Sequence, residues 1–220
     1  MALVGDNGAG KSTLVKTISG AQIPDTGEFH IDGKPAQISN PREAESKGIA
    51  TLHQSLGLVG SLNVFENIFL GREETKQIGP FKVLDKKRMR ERSIEMLGEL
   101  AIDVPRLDVP VVNMSGGQRQ CVAISRLLLD EVQLIMMDEP MAALGVAEGQ
   151  RVLELIQSLR DKGVSVLIIS HNLEHVFSIA DRIVVLKNGR LVGVVSPKEV
   201  TRNDVVRMIT TGEAGQEGVQ

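Results

Sequence analysis

The apolar positions of this chain fall into two repeating patterns. Short unbroken runs stand at 1–4, 48–52, 134–137, 164–169 and 182–186, too brief for helices but suited to strands buried on both faces. Between them apolar residues recur at helical spacing: Leu14, Val15 and Ile18 ahead of Gly20, then Val152, Leu153, Ile156 and Leu159, then Leu173, Val176, Phe177 and Ala180. Strands alternating with helices predict an α/β fold with a mainly parallel sheet covered on both faces. Residues 61–129 break the alternation. They carry charged helical candidates such as 86–100 and no strand pattern, which predicts a helical subdomain inserted into the core. Asn188-Gly189 between the apolar runs 183–186 and 191–195 predicts a tight turn and a late antiparallel hairpin. The Gly-, Glu- and Gln-rich tail 212–220 predicts disorder. One domain is therefore expected over 1–211, with 1–60 and 130–211 as its α/β core and 61–129 as its helical subdomain.

Composition narrows the function more than the fold. A length of 220 residues suits one substantial domain. A formal charge of −3 removes the broad electrostatic case for nucleic acid, and the basic cluster Lys86, Lys87, Arg88, Arg90 and Arg92 alternates with Glu91 and Glu95 as a solvated helix face does. The single cysteine, Cys121, cannot form an internal disulfide, and the absence of a secretory signal makes a cytoplasmic setting the expectation. His30, His53 and Cys121 lack metal-ligand spacing and read as packing or surface residues. No run approaches the roughly 18 to 20 apolar residues that span a bilayer, so no direct insertion is expected and membrane association must come through a partner.

The chemistry begins directly after the first strand. Residues 5–12, Gly-Asp-Asn-Gly-Ala-Gly-Lys-Ser, fit G-x-x-x-x-G-K-[ST] between a predicted strand and a predicted helix. A triphosphate crowds several anionic oxygens into a small volume, so its cradle must turn backbone N–H groups inward without side chains in the way. Gly5, Gly8 and Gly10, with Asn7 among them, permit that approach. Lys11 can reach the terminal phosphates, Ser12 can ligate Mg²⁺, and the helix beginning through Thr13 points its positive end at the anion.

A second element is a carboxylate at the end of a buried strand. Leu134, Ile135, Met136 and Met137 lead into Asp138, placed to hold Mg²⁺ against the phosphates, and Glu139 follows as the group that can orient or deprotonate the attacking water. These two elements are common to kinases, GTPases and recombinases, so they do not name a function. A third discriminates. Ser115, Gly116, Gly117 and Gln118 precede the helical run Val122, Ile124, Ser125, Arg126, Leu127 and Leu128, giving a second glycine-bearing helix start able to bind a γ-phosphate. One nucleotide cannot readily reach both loops of one molecule, which implies a second copy in trans.

At this point the sequence resembles the ABC transporter ATPase family over nearly its whole length. Residues 5–13 look like the Walker A motif, Gln54 the Q-loop glutamine, 115–118 the signature, 134–138 the Walker B strand, Glu139 the catalytic glutamate, 142–145 the D-loop and His171 the switch histidine. The words at 5–12, 66–73, 142–146 and 170–177 are similar to those of simple-sugar importers, the fructose type in particular. The resemblance implies a P-loop NTPase fold, ATP with Mg²⁺ bound by Ser12, Gln54 and Asp138, and catalysis by Glu139, His171 and Gln54. It also implies a head-to-tail homodimer, a separate permease contacted near Gln54 and 64–70, indirect cooperation with a periplasmic sugar-binding protein, and a peripheral place on the inner face of the membrane.

Two departures stand beside it. Met141 replaces a usual threonine. The phosphate loop begins at residue 5 and the chain has no Tyr or Trp, so the family's N-terminal strands and its adenine-stacking aromatic are expected to be missing. Two rival functions weigh against transport. A soluble ABC ATPase of repair or translation would add a second cassette, a coiled coil or a metal hook, none of which is visible; a non-hydrolysing switch would not need Glu139.

Overall fold

The computed structural model of the protein describes residues 1–100, 102 and 106–213; most of the expected disordered tail, 214–220, lies outside them. In chain order its elements are β1 (Ala2–Val4), α1 (Lys11–Ile18), β2 (Phe29–Ile31), β3 (Lys34–Ala36), α2 (Pro41–Ser46), β4 (Ile49–Leu52), α3 (Val64–Ile68), β5 (Thr75–Ile78) and β6 (Phe81–Leu84). There follow α4 (Lys86–Glu99), α5 (Gly116–Leu127), β7 (Leu134–Asp138), α6 (Val146–Asp161), β8 (Ser165–Ile169), α7 (Leu173–Ile179), β9 (Ile183–Lys187), β10 (Arg190–Val195) and α8 (Arg202–Thr211). They divide between two compact units. The first contains Met1–Thr51, Val132–Pro140 and the chain from Gly163 onward; the second contains Leu52–Glu131 and Met141–Lys162.

The first unit is built on a six-stranded sheet in the order β10-β9-β1-β8-β7-β4. β1 lies inside it, parallel to β8 through Ala2↔Ile168 and Leu3↔Ile169, and parallel to β9 through Ala2↔Ile183 and Val4↔Val185. β7 runs parallel to β8, and β10 returns antiparallel to β9. Every residue of β1 is apolar because both faces of the strand are covered. Leu3 packs on one side with Val15 of α1, Met136 and Ile169. Ala2 and Val4 pack on the other with Val176 of α7 and Val205 and Met208 of α8. The expected strands and the late hairpin are all present. Asn188 and Gly189 both take positive φ, 47° and 74°, the backbone that a two-residue turn matching strand twist requires.

The second unit packs Val64, Phe65 and Ile68 of α3 against Met89 and Leu97 of α4 and Val122 of α5. Among the described residues, the Asn67 amide of this unit is fully buried, 0% exposed. The Asn67 side chain accepts from the Val59 N–H at 2.8 Å and reaches the carbonyls of Val59, Leu62 and Asn63, each at 3.1 Å. The loop before α3 is thus pinned through its own backbone.

One expectation fails here. Residues 61–129 are not free of strands: β5 and β6 pair antiparallel from Thr75↔Leu84 to Ile78↔Phe81 around Gly79 and Pro80. Ion pairs fasten this hairpin to α4, with Glu74 held by Arg88 at 2.6 Å and by Arg92, and Asp85 by Lys76 at 3.6 Å. Lys86 joins Glu66 at 2.9 Å and Arg90 joins Asp108 at 3.3 Å, so the basic cluster is answered by carboxylates. Among the described residues, no helix is long and apolar enough to cross a membrane.

Candidate functional site

Three adjacent parallel strands, β1, β8 and β7, end at one edge of the sheet, and each delivers a sequence-predicted residue there. β1 runs out into Gly5, β8 into Ser170 and His171, and β7 ends at Asp138 opposite Ile169. The carboxyl edge of an open parallel sheet is where such folds bind ligands.

The loop after β1 turns into α1 at Gly10, whose φ of 100° closes to side chains the backbone that starts the helix. Its glycines do different work. A carbon on Gly5 would lie 2.3 Å from the Leu186 carbonyl oxygen, so the bare backbone there admits β9. Gly10 lies against Gly189 of the β9–β10 turn, 3.3 Å from where its own carbon would be, and the Gly189 N–H donates to the Ala9 carbonyl at 3.0 Å. Only Gly8, at φ 79°, faces open space. Asn7, Ser12 and Thr13 are exposed, as ligand contact requires. Lys11 is folded back over the loop, its ammonium donating to the Gly5 carbonyl at 2.7 Å and the Asp6 carbonyl at 2.9 Å.

Glu139 stands one residue past β7 with a left-handed φ of 50°, its N–H donating to the Ile169 carbonyl at 2.9 Å. That turn aims its carboxylate at the end of β8. Glu139 Oε1 takes the His171 backbone N–H at 3.0 Å and lies 2.8 Å from the His171 Nδ1. Asn172 caps α7 by accepting from the Glu174 and His175 N–H groups, which fixes the turn bearing His171. Asp138 is half-buried beside Glu139.

Gln54 and 115–118 belong to the second unit. Gln54 is exposed, two residues beyond β4. Ser115 caps α5 in a reciprocal box: its Oγ accepts from the Gln118 N–H at 3.3 Å, and the Gln118 Oε1 accepts from the Ser115 N–H at 3.0 Å. Carbons on Gly116 and Gly117 would fall 2.9 Å from the Leu144 Cδ2 and the Glu148 Cβ. These glycines let the start of α6 press onto α5. Cys121 is buried, 6% exposed, and burial pushes its thiol up to about 11, which fits a packing role.

Glu148, which the sequence did not single out, lies against Gly116 and Gly117 at the start of α5. Its carboxyl is held below the usual carboxylate range, by the Ser115 hydroxyl foremost. Its one available signal was its place in the first turn of α6, after the 142–145 loop.

Comparison with known proteins identifies relatives of the chain. A family model described as ABC transporter matches residues 1–142. The chain is 44% identical to the fructose import ATP-binding protein FrcA of Rhizobium meliloti, over 96% of this chain and 82% of that one. It is 43% identical to the xylose/arabinose import ATP-binding protein XylG of Sulfolobus acidocaldarius, over 98% and 84%. Among solved structures, MJ1267, an ATP-binding cassette of an ABC transporter, superposes with a TM-score of 0.80 at 27% identity, over 96% of this chain and 85% of that one.

Proposed function

This chain belongs to the ABC transporter family, and from that premise we propose that it is the ATP-hydrolysing subunit of a monosaccharide importer, working through a separate permease. The observation that carries the hydrolytic part is the Glu139–His171 pair at the sheet edge beside the phosphate loop. Both bonds fall on Oε1, which leaves the other carboxylate oxygen for a water. Glu139 then orients that water and accepts its proton, while His171 keeps the carboxylate in one rotamer. The likeness to fructose and xylose/arabinose import proteins supports the sugar class.

On this reading Lys11 leaves the Gly5 and Asp6 carbonyls for the terminal phosphates, and the N–H groups from Gly8 to Thr13 take the rest of the charge. The Ser12 hydroxyl and Asp138 carboxylate offer the hard oxygen donors that Mg²⁺ takes when phosphates and water complete its shell. The ion would supply neutralisation of charge on the phosphates.

Ser115, Gly116, Gly117 and Gln118 of a second copy meet the terminal phosphate, so the working form is a head-to-tail pair. The permease rests near Gln54 and 64–70, with a periplasmic sugar-binding protein beyond it, and holds the chain to the inner membrane face. We take 1–211 as one ATPase domain, with 61–129 as its helical subdomain. The test is reconstitution with the cognate permease in vesicles. Sugar uptake that needs ATP and is lost with Glu139→Gln supports the reading; ATPase activity indifferent to permease and sugar would favour a soluble ATPase.

A further inference from the structure

Two turns of the first unit are built alike. Asn188 and Gly189 take φ of 47° and 74° between the paired residues Lys187 and Arg190, and Asp32 and Gly33 take 51° and 73° between the paired residues Ile31 and Lys34. A carbon added to Gly189 or to Gly33 would meet no atom within 4 Å. The turns differ in what their backbone touches. The Gly189 N–H donates to the Ala9 carbonyl of the phosphate loop at 3.0 Å, while the Asp32-Gly33 turn makes no backbone bond to another segment among the described residues. A two-residue hairpin therefore forms without such a bond, and the one at Gly189 needs a reason of its own. Ala9 itself is 1% exposed, in the apolar cluster that also holds Leu186.

We propose that the β9–β10 turn sets the phosphate loop for nucleotide, with Gly189 as a positioning residue that aims the Gly10 N–H. The link is the planar peptide between residues 9 and 10. In a trans peptide the C=O and the N–H point to opposite sides, and none of the described peptides is cis. Tying the Ala9 carbonyl to Gly189 thus turns the Gly10 N–H away from the turn. That N–H donates to no protein acceptor among the described residues, and it is one of the donors that the reading above, on which this inference rests, gives to the phosphates. Gly10, at φ 100°, has no side chain to restrict its backbone. The bond from Gly189 supplies the restriction before nucleotide arrives, so less of the cost of ordering the loop falls on binding.

The test sets one turn against the other. Gly189→Val and Gly33→Val put the same β-branched residue at the same left-handed position, where it distorts the turn without its side chain meeting a neighbour. Thermal unfolding is expected to show a similar loss in both. Mg-ATP affinity, by fluorescent-nucleotide titration, is expected to fall about threefold to tenfold in Gly189→Val alone, the scale of one net backbone hydrogen bond. Gly189→Asn, a residue that accepts left-handed backbone, is expected to restore the affinity. Gly189→Ala supplies a milder distortion if the valine variant folds poorly, and the parent without nucleotide gives a reading that needs no variant: its Gly189 amide should exchange with solvent more slowly than its Gly33 amide. Gly189 variants that bind Mg-ATP as the Gly33 variant does, or a Gly189 amide that exchanges as fast as that of Gly33, overturn the inference and leave the proposed function standing. A parent that does not bind Mg-ATP overturns both.

Discussion

Replacing Gly5 by alanine should damage the fold before it damages nucleotide binding, although Gly5 opens the phosphate loop. The added carbon would sit 2.3 Å from the Leu186 carbonyl oxygen and 3.0 Å from the Ala9 Cβ, on a backbone whose φ of 154° L-residues rarely adopt. Backbone strain of this kind costs about 1–3 kcal/mol. Overpacking against rigid backbone adds about 1–3 kcal/mol more. Gly8→Ala is the control, because a carbon added there would meet no neighbouring atom within 4 Å and incurs only the left-handed penalty of about 1–2 kcal/mol. The two backbone penalties largely offset each other, which leaves the overpacking of about 1–3 kcal/mol; at about 2–4 °C per kcal/mol for a chain of this size, Gly5→Ala should melt about 2–12 °C below Gly8→Ala. Gly8→Ala should instead lose the larger share of ATP affinity. Thermal unfolding by circular dichroism, with fluorescent-nucleotide titration of the same samples, measures both. Equal melting temperatures would show that β9 yields freely at Leu186, and that Gly5 serves the phosphates after all.

Glu139→Gln should bind ATP as the parent does yet turn over about 10²–10⁴-fold more slowly, measured as phosphate release with the permease present; an unchanged rate removes Glu139 from its role. Lys11→Ala should weaken ATP binding about 10–100-fold, as loss of a charge-assisted contact does, and equal affinities in the two variants by calorimetry would contradict this division of labour. Cys121 gives a pH signature. Its folded pKa of about 11 lies above the thiol's ordinary 9, so the unfolded chain loses the proton first and stability falls as pH rises from about 9 to 11. Urea midpoints of parent and Cys121→Ala across that window should converge at the alkaline end, and parallel curves would refute the assignment.

Strands β1, β7, β8 and β9 were legible because each is apolar on both faces and bounded by turn residues. The hairpin β5–β6 was not, for its residues are almost all exposed and no buried face imposes alternation on Thr75, Lys76, Gln77 and Ile78. The phosphate loop could be read from spacing, but its glycines were all assigned to the ligand. The close approach of Leu186 to Gly5 and of Gly189 to Gly10 depends on strands far along the chain. Glu148 escaped for a similar reason, since its approach to Gly116 and Gly117 depends on how α5 and α6 pack. The family assignment was readable from the order of short words, and the relatives bear it out. The Glu139–His171 bond needed the register of β7 on β8 to become visible.

The place of β1 in the sheet also sets a clock. The strand that carries the phosphate loop is made well ahead of its two partners, β8 and β9, with which it pairs through Ile168 and Ile183. At about 5–20 residues per second of synthesis, Ala2, Leu3 and Val4 wait about 10–40 s on the ribosome before either neighbour exists. For that interval an apolar strand has both edges open, the condition under which nascent chains pair with one another or recruit a chaperone. The nucleotide pocket is therefore among the last features of the molecule to assemble, and slowing translation ahead of β8 would lengthen the time the chain spends exposed to aggregation.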